Sequence, residues 1–138
     1  MREKFQNLAL LVIRLIVAIV FLFAAWAKFS FWTAPPAGFS AGIILLIKFL
    51  SIVEPLGAAA LIFGFLTRWA ASGLAIIMVG AIVVLHFTMQ ISFFTTPQGL
   101  GWDYNLFILG NCLAIMAFGA DKWSVEEMRK NYIKSFES

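Results

Sequence analysis

Charged residues are scarce in this chain. Asp, Glu, Lys and Arg make up 12% of its 138 residues, against 62% that are hydrophobic, and the mean hydropathy is +0.95. A soluble domain carries about 25% charged and about 45–50% apolar residues. A single core in a chain this short cannot take in the excess, so most of the apolar surface must face lipid, and the length allows one domain. Cysteine is almost missing as well: Cys112 stands alone, which excludes an intramolecular disulfide, a CxxC redox pair and a cysteine zinc site. His86 is the single histidine, so two-histidine haem ligation is excluded too. Electron chemistry in this chain would draw on no metal or thiol couple of its own. The net charge of +3 comes from scattered basic residues. They form no basic stripe, and nucleic acid is not an expected partner. GxGxxG and P-loop patterns, internal repeats and low-complexity segments are all absent.

What the chain does have is four apolar runs. About 20 such residues cross a bilayer as a helix, and the runs at 8–28, 43–66, 69–91 and 104–120 qualify. "FSFWTAPPAGFSAG" (29–42) and "SFFTTPQGLG" (92–101) separate the outer pairs, while "FLTRWAA" makes a tight turn between spans two and three. The two long breaks contain no Lys or Arg. Arg2, Lys4, Arg68, Lys122, Arg129, Lys130 and Lys134 all fall at the other ends of the spans. Basic residues favour the cytoplasmic side, so both termini are expected in the cytoplasm of an inner-membrane, multi-pass protein. Trp26, Trp32, Trp69, Trp102 and Trp123 fall near span ends, where indole rings are favoured. The basic start, the apolar run and "AWAK" also resemble a secretory signal, but Arg14 interrupts that run and favours a retained span.

The expected fold is therefore all-α and integral to the membrane: a four-transmembrane-helix bundle over 1–120 and an amphipathic cytoplasmic tail over 121–138. In the tail Ser124 and Glu127 form a capping-box pattern. Val125, Met128, Tyr132 and Phe136 recur at helical spacing, with Arg129, Lys130 and Lys134 available to headgroups, as in an interfacial helix. A frayed polar tail is the plainer alternative.

An ionisable residue inside a span is costly and usually faces the bundle interior. Glu54, followed by Pro55, lies midway along span two, and Arg14 lies one to two turns into span one. An Arg14–Glu54 pair is expected, with Asn111 of span four nearby. Pro55 removes a backbone donor and loosens the helix one turn earlier. Toward the other surface lie Lys28, Lys48, His86 and Asp103. The expected ligand-lining set is Arg14, Glu54, His86 and Asp103 around one continuous cavity, supported by Lys28, Lys48 and Asn111. Each has a plain structural reading beside it: helix locking for Arg14 and Glu54, an interface histidine, snorkelling for Lys28 and Lys48, and a helix cap for Asp103. Cys112 reads as packing, and Gly57, Gly64, Gly73 and Gly80 as sites of close helix approach.

Four stretches in order resemble the DoxX-like family of membrane proteins. "LVIRLIVAIVFLFAAWAKF" is similar to its first helix, and "VEPLGAAALIFGFLTRWAASGLAIIMVGAI" to its second and third with the "GFLTR" turn. "LHFTMQISFF" resembles the His-containing end of the third, and "GWDYNLFILGNCLAIMAFGADKWSVEE" the fourth. Ala24, Ala25 and Trp26 stand where the family often has a His or Gly pair, and Asp103 where Glu is more usual. The resemblance implies a four-helix bundle tied to quinone- or thiol-related redox systems, with Arg14, Glu54, His86 and Asp103 at the family's polar positions.

The leading functional expectation is a quinone-associated accessory or subunit of a membrane redox or detoxification system. The chain itself supplies no intrinsic cofactor or metal site, and a quinone is the expected ligand. The bilayer, a quinone or lipid ligand, and a redox-enzyme partner subunit are the expected partners. Two other classes compete: a proton-coupled small-molecule exporter, and a non-catalytic assembly factor with a purely structural polar core. Small multidrug exporters also pair four short helices with one membrane glutamate, but their dual-topology assembly goes with a weak Lys/Arg bias, and the bias here is clear.

Overall fold

Ser40 opens the second long helix by accepting a hydrogen bond on Oγ from the Ile43 N–H at 3.3 Å, the usual cap for an orphan N-terminal donor. The Gly38–Phe39–Ser40–Ala41–Gly42 string is thus a turn feeding a helix, without the preceding strand that a hydrolase elbow requires. In the computed structural model, which describes residues 2–137, the helices run α1 (Arg2–Lys28), α2 (Ser30–Thr33), α3 (Ala41–Phe63), α4 (Thr67–Val83), α5 (Asp103–Phe118) and α6 (Val125–Glu137). A single π-helical turn, Val84–Thr88, extends α4. Pro55 sits inside α3 without ending it.

α1 packs along α3 and α4 along α5, and contacts of α3 with α4 and of α1 with α5 close the ring. The seam between them is built of small and medium side chains: Val17, Ala18 and Phe21 from α1, Ala58 and Leu61 from α3, Ala71, Leu74 and Met78 from α4, Ile108, Cys112 and Ile115 from α5. Small residues let membrane helices approach closely, where dispersion rather than water exclusion holds them. Gly57 shows the fit directly, since a Cβ there would lie 3.0 Å from a Leu74 methyl.

The outward faces are apolar too. Phe23, Trp26, Leu45, Ile76 and Phe107 are each at least 70% exposed, an arrangement that only a lipid solvent makes stable. α1, α3 and α4 with its π-turn are long and apolar enough to cross a membrane. The fourth apolar helix is shorter than its expected 104–120 run, with 16 residues. At 1.5 Å per residue it covers about 24 Å of a hydrocarbon core about 30 Å thick. The chain is an all-α integral membrane protein.

At one end of the bundle, α6 is pinned as it starts. Glu126 donates its N–H to the Gly64 carbonyl at 3.1 Å, and a Glu126 carboxylate oxygen accepts from the Thr67 N–H at 3.4 Å. Ser124 Oγ accepts from the Glu127 N–H at 3.1 Å, which is the first half of the expected capping box. The Ser124 N–H goes instead to the Asp121 carbonyl. Beyond this start Met128, Tyr132 and Phe136 stay exposed, and the last two rings meet edge to face.

Candidate functional site

The buried charges pair differently from the expected Arg14–Glu54 contact. Glu54, 1% exposed, accepts from Lys28 Nζ at 2.7 Å. Arg14, 2% exposed, has its Nη1 2.7 Å from Asp121 Oδ2. The cause is register. α1 and α3 run antiparallel, and Lys28 lies level with Glu54. Arg14 stands 14 residues before Lys28, about 21 Å along the helix, too far for any side chain to reach Glu54. It lies instead by the α3–α4 turn, where a Cβ on Gly64 would come within 2.8 Å of Arg14 Nη1.

Lys28 does not snorkel. Its ammonium folds back along α1, donating to the Ala24 carbonyl at 3.2 Å as well as to Glu54. One turn of α3 away, Ser51 Oγ accepts from Trp32 Nε1 at 3.0 Å and donates to the Lys48 carbonyl at 2.7 Å. Lys48 Nζ lies over the Trp32 ring, 5.3 Å from its centroid, a cation–π contact. Positions 48, 51 and 54 recur every three residues and share one face of α3. Short helix α2 thus lays Trp32 against a polar ladder that descends to the Lys28–Glu54 pair.

Beside that pair lies a cavity of about 140 Å³. Val20, Phe21 and Ala24 of α1, Leu50 of α3, Ile77, Met78 and Ala81 of α4, and Tyr104 and Asn105 of α5 complete its wall. Asn105 Nδ2 lies 3.7 Å from Met78 Sδ. Polar atoms are few in this wall and converge on Lys28, Glu54, Tyr104 and Asn105, the pattern expected of a small-molecule site.

The other expected residues do not join one continuous cavity. Arg14 is at the far end with Asp121. His86, on the π-turn, is exposed, with its ring edge-on to Phe87 and Trp102 at 4.7 and 5.6 Å. Asp103 borders a separate, more open groove of about 870 Å³. Its carboxylate is already engaged there, accepting from Thr95 Oγ1 at 2.7 Å, the Thr95 N–H at 3.1 Å and the Tyr104 N–H at 2.9 Å. Asn111 donates to the Phe107 carbonyl of its own helix at 2.8 Å. Of the four ligand-lining residues expected, only Glu54 faces the inner cavity.

Sequence reasoning passed over Asp121, Tyr104 and Asn105. Asp121 had one local signal: an acid directly after the Gly119–Ala120 helix end and three before Ser124, whose Oγ donates to the Asp121 carbonyl at 2.7 Å. Asn105 had only its place in the first turn of a mostly apolar helix.

The family model described as DoxX matches residues 9–87, more than half of the chain and the stretch that carries Arg14, Lys28 and Glu54. The chain belongs to the DoxX family. Inner membrane protein YqjF of Escherichia coli (strain K12) is 25% identical over 134 residues, covering 91% of this chain and 95% of that protein. No solved structure matches. In this DoxX protein the matched segment holds the ion pair, while Tyr104, Asn105 and Asp121 come from the helix and tail beyond it.

Proposed function

We propose that this DoxX-family protein binds the head group of a quinone between Lys28 and Asn105 and serves as a quinone-docking subunit of a membrane redox system. One observation carries the reading: an acid–base pair, buried Glu54 with half-buried Lys28, faces a small, largely apolar cavity between the helices. The cavity of about 140 Å³ is on the order of the roughly 150 Å³ void that admits a benzene ring in another protein. A quinone ring offers two carbonyl oxygens. Lys28 and Asn105 both line the cavity and carry donors, Nζ and Nδ2, and Glu54 is a proton carrier next to the first. Reduction of a quinone to a quinol takes up two electrons and two protons. Glu54 and Lys28 can pass protons, and on this reading the electrons come from a partner subunit, since one cysteine and one histidine provide no metal or thiol couple. The name of the Escherichia coli relative assigns that protein to the inner membrane. We place this chain there too, with both termini in the cytoplasm, on the Lys and Arg distribution.

The test is extraction of the purified protein and mass spectrometry of its lipids, followed by titration with a tail-free dimethoxybenzoquinone. Quinone in the extract, with binding weakened about tenfold or more by Glu54→Gln or Lys28→Met, supports the assignment. No quinone in the extract and no binding to the wild-type protein leaves the pair as a helix lock.

A further inference from the structure

The head-group cavity and the larger groove lie side by side. Tyr104 and Asn105 line both, so α5 begins as the partition between a small polar-tipped chamber and a large apolar one. The groove wall is Leu85 and Met89 from the π-turn and its exit, Ile91 and Leu100 from the 89–102 loop, and Phe107 from α5. Its volume of about 870 Å³ falls within the roughly 300–1,000 Å³ range of ligand sites.

The groove is built, not left over. Gly101 permits it: a Cβ there would lie 2.3 Å from the Phe93 carbonyl oxygen and the Phe94 carbonyl carbon. The loop therefore closes on bare backbone. The Gly101 N–H donates to Thr95 Oγ1 at 3.0 Å, the Asp103 N–H to the Phe93 carbonyl at 2.9 Å, and the Asp103 carboxylate holds Thr95. On the opposite side the Met89 and Ile91 N–H groups donate to the Val84 and Leu85 carbonyls, each at 2.9 Å, fixing the π-turn that presents Leu85. Short α5 spans about 6 Å less than a hydrocarbon core about 30 Å thick, and this loop adjoins its start. Irregular backbone at membrane depth is tolerated where it is covered by protein or lines a cavity.

We propose that this groove receives the prenyl or alkyl tail of the ligand whose head group lies at Lys28–Glu54; the assignment rests on the head-group reading above. The chamber beside Glu54 has room for a ring but not for a ring with its chain. The only wall it shares with the groove is Tyr104 and Asn105, and the groove beyond that wall is apolar. Asp103 does not repel a chain there, since its carboxylate is turned onto Thr95 and the start of α5. A lipid-soluble molecule would enter tail and head together from the bilayer, the ring moving past Asn105 while the tail stays between Leu85 and Phe107.

Nanodisc-embedded full-length protein is titrated with tail-free dimethoxybenzoquinone, with its decyl-tailed analogue and with farnesol, for the wild type and for Leu85→Trp, which fills the groove. Partition into the bilayer is common to both proteins and cancels in their ratio. The expected result is about a tenfold loss for the decyl quinone in Leu85→Trp, with the tail-free quinone within about twofold of wild type. Equal affinities of the two proteins for the decyl quinone overturn the groove and leave the head-group reading standing. Farnesol binding that Leu85→Trp abolishes, with no quinone bound to the wild type, supports the groove and sinks the quinone. No binding of any probe overturns both. A decyl quinone carrying a tail diazirine, used on wild-type protein alone, labels peptides within 85–91 or 100–107 on this proposal. Label confined to other helices overturns it, whatever the stability of the variant.

Discussion

At the scale of single residues, the two buried ion pairs differ in how they can respond to loss of a partner. Glu54 is sealed at 1% exposure while the Lys28 side chain is 24% exposed. Lys28→Met strands a carboxylate among Phe21, Ile77 and Met78, and breaking a buried pair in this way costs about 3–5 kcal/mol. Glu54→Gln instead frees an ammonium whose long stem can carry it toward the headgroups, so it should cost less, about 1–2 kcal/mol. Unfolding of the detergent-solubilised variants by titrated denaturing detergent measures the difference. Equal losses would mean that Lys28 is as tightly confined as Glu54. Arg14 and Asp121 have no such escape, being 2% and 1% exposed. Their contact is close but poorly aligned: neither Arg14 Nε nor Nη1, nor Asp121 Oδ2, makes a hydrogen bond among the described residues. Here either single change should be severe, and Arg14→Gln with Asp121→Asn together should restore part of the loss, a positive coupling that a double-mutant cycle reads.

At the scale of elements, the α3–α4 turn tightly constrains side-chain identity. Gly64 has φ +66°, and a Cβ on it would lie 2.4 Å from Ser124 Cβ and 2.8 Å from Ser124 Cα. Gly64→Ala therefore incurs left-handed strain of about 1–2 kcal/mol and also pushes the start of α6 off the bundle. Gly73 and Gly80 meet nothing within 4 Å, and alanine there should be neutral or mildly stabilising, since glycine is the poorer helix former. Thermal unfolding of the three variants in one detergent checks this, and a Gly64→Ala protein as stable as Gly73→Ala refutes the turn's role. The same turn explains what the sequence could and could not reveal. Helix limits were legible to within about three residues for the second, third and fourth spans, 43–66 against Ala41–Phe63 for example, because apolar run length and Pro/Gly breaks are local properties. The start of α1, at Arg2 and not 8, was missed because its first turns are polar. Glu54 and Lys28 were legible as polar positions inside or at the edge of lipid. Their pairing was not, because it depends on how far α1 slides along α3. That offset is set by Ala18, Phe21, Ala58 and Leu61 meeting in the core, and no single stretch records it. The groove was illegible for a similar reason. It needs Gly101 against Phe93 and Phe94, a loop closure, and a π-turn that hydropathy cannot distinguish from an ordinary helix end.

At the scale of the whole molecule, one end of the bundle gathers most of the basic residues and ties them together. Lys122 reaches Glu3 at 3.8 Å and donates its N–H to Asn7, Arg68 packs where a Gly119 Cβ would lie and donates to the Ala117 carbonyl, and Arg14 holds Asp121. The start of α1, the α3–α4 turn and the root of α6 are therefore on one side of the membrane, and a label at any of them reports all three. The 29–42 and 92–101 segments, without Lys or Arg, occupy the other end. If the basic end is cytoplasmic, as proposed, Thr33→Cys and Thr96→Cys should react with a membrane-impermeant maleimide added to intact cells. Ser135→Cys should react only after permeabilisation. Cys112 is fully buried between the helices, so the wild-type background should be low. Reaction of Ser135→Cys in intact cells would invert the protein. It would place α6 and the Arg14–Asp121 pair on the periplasmic face, and the outer groove would then open toward the cytoplasmic leaflet.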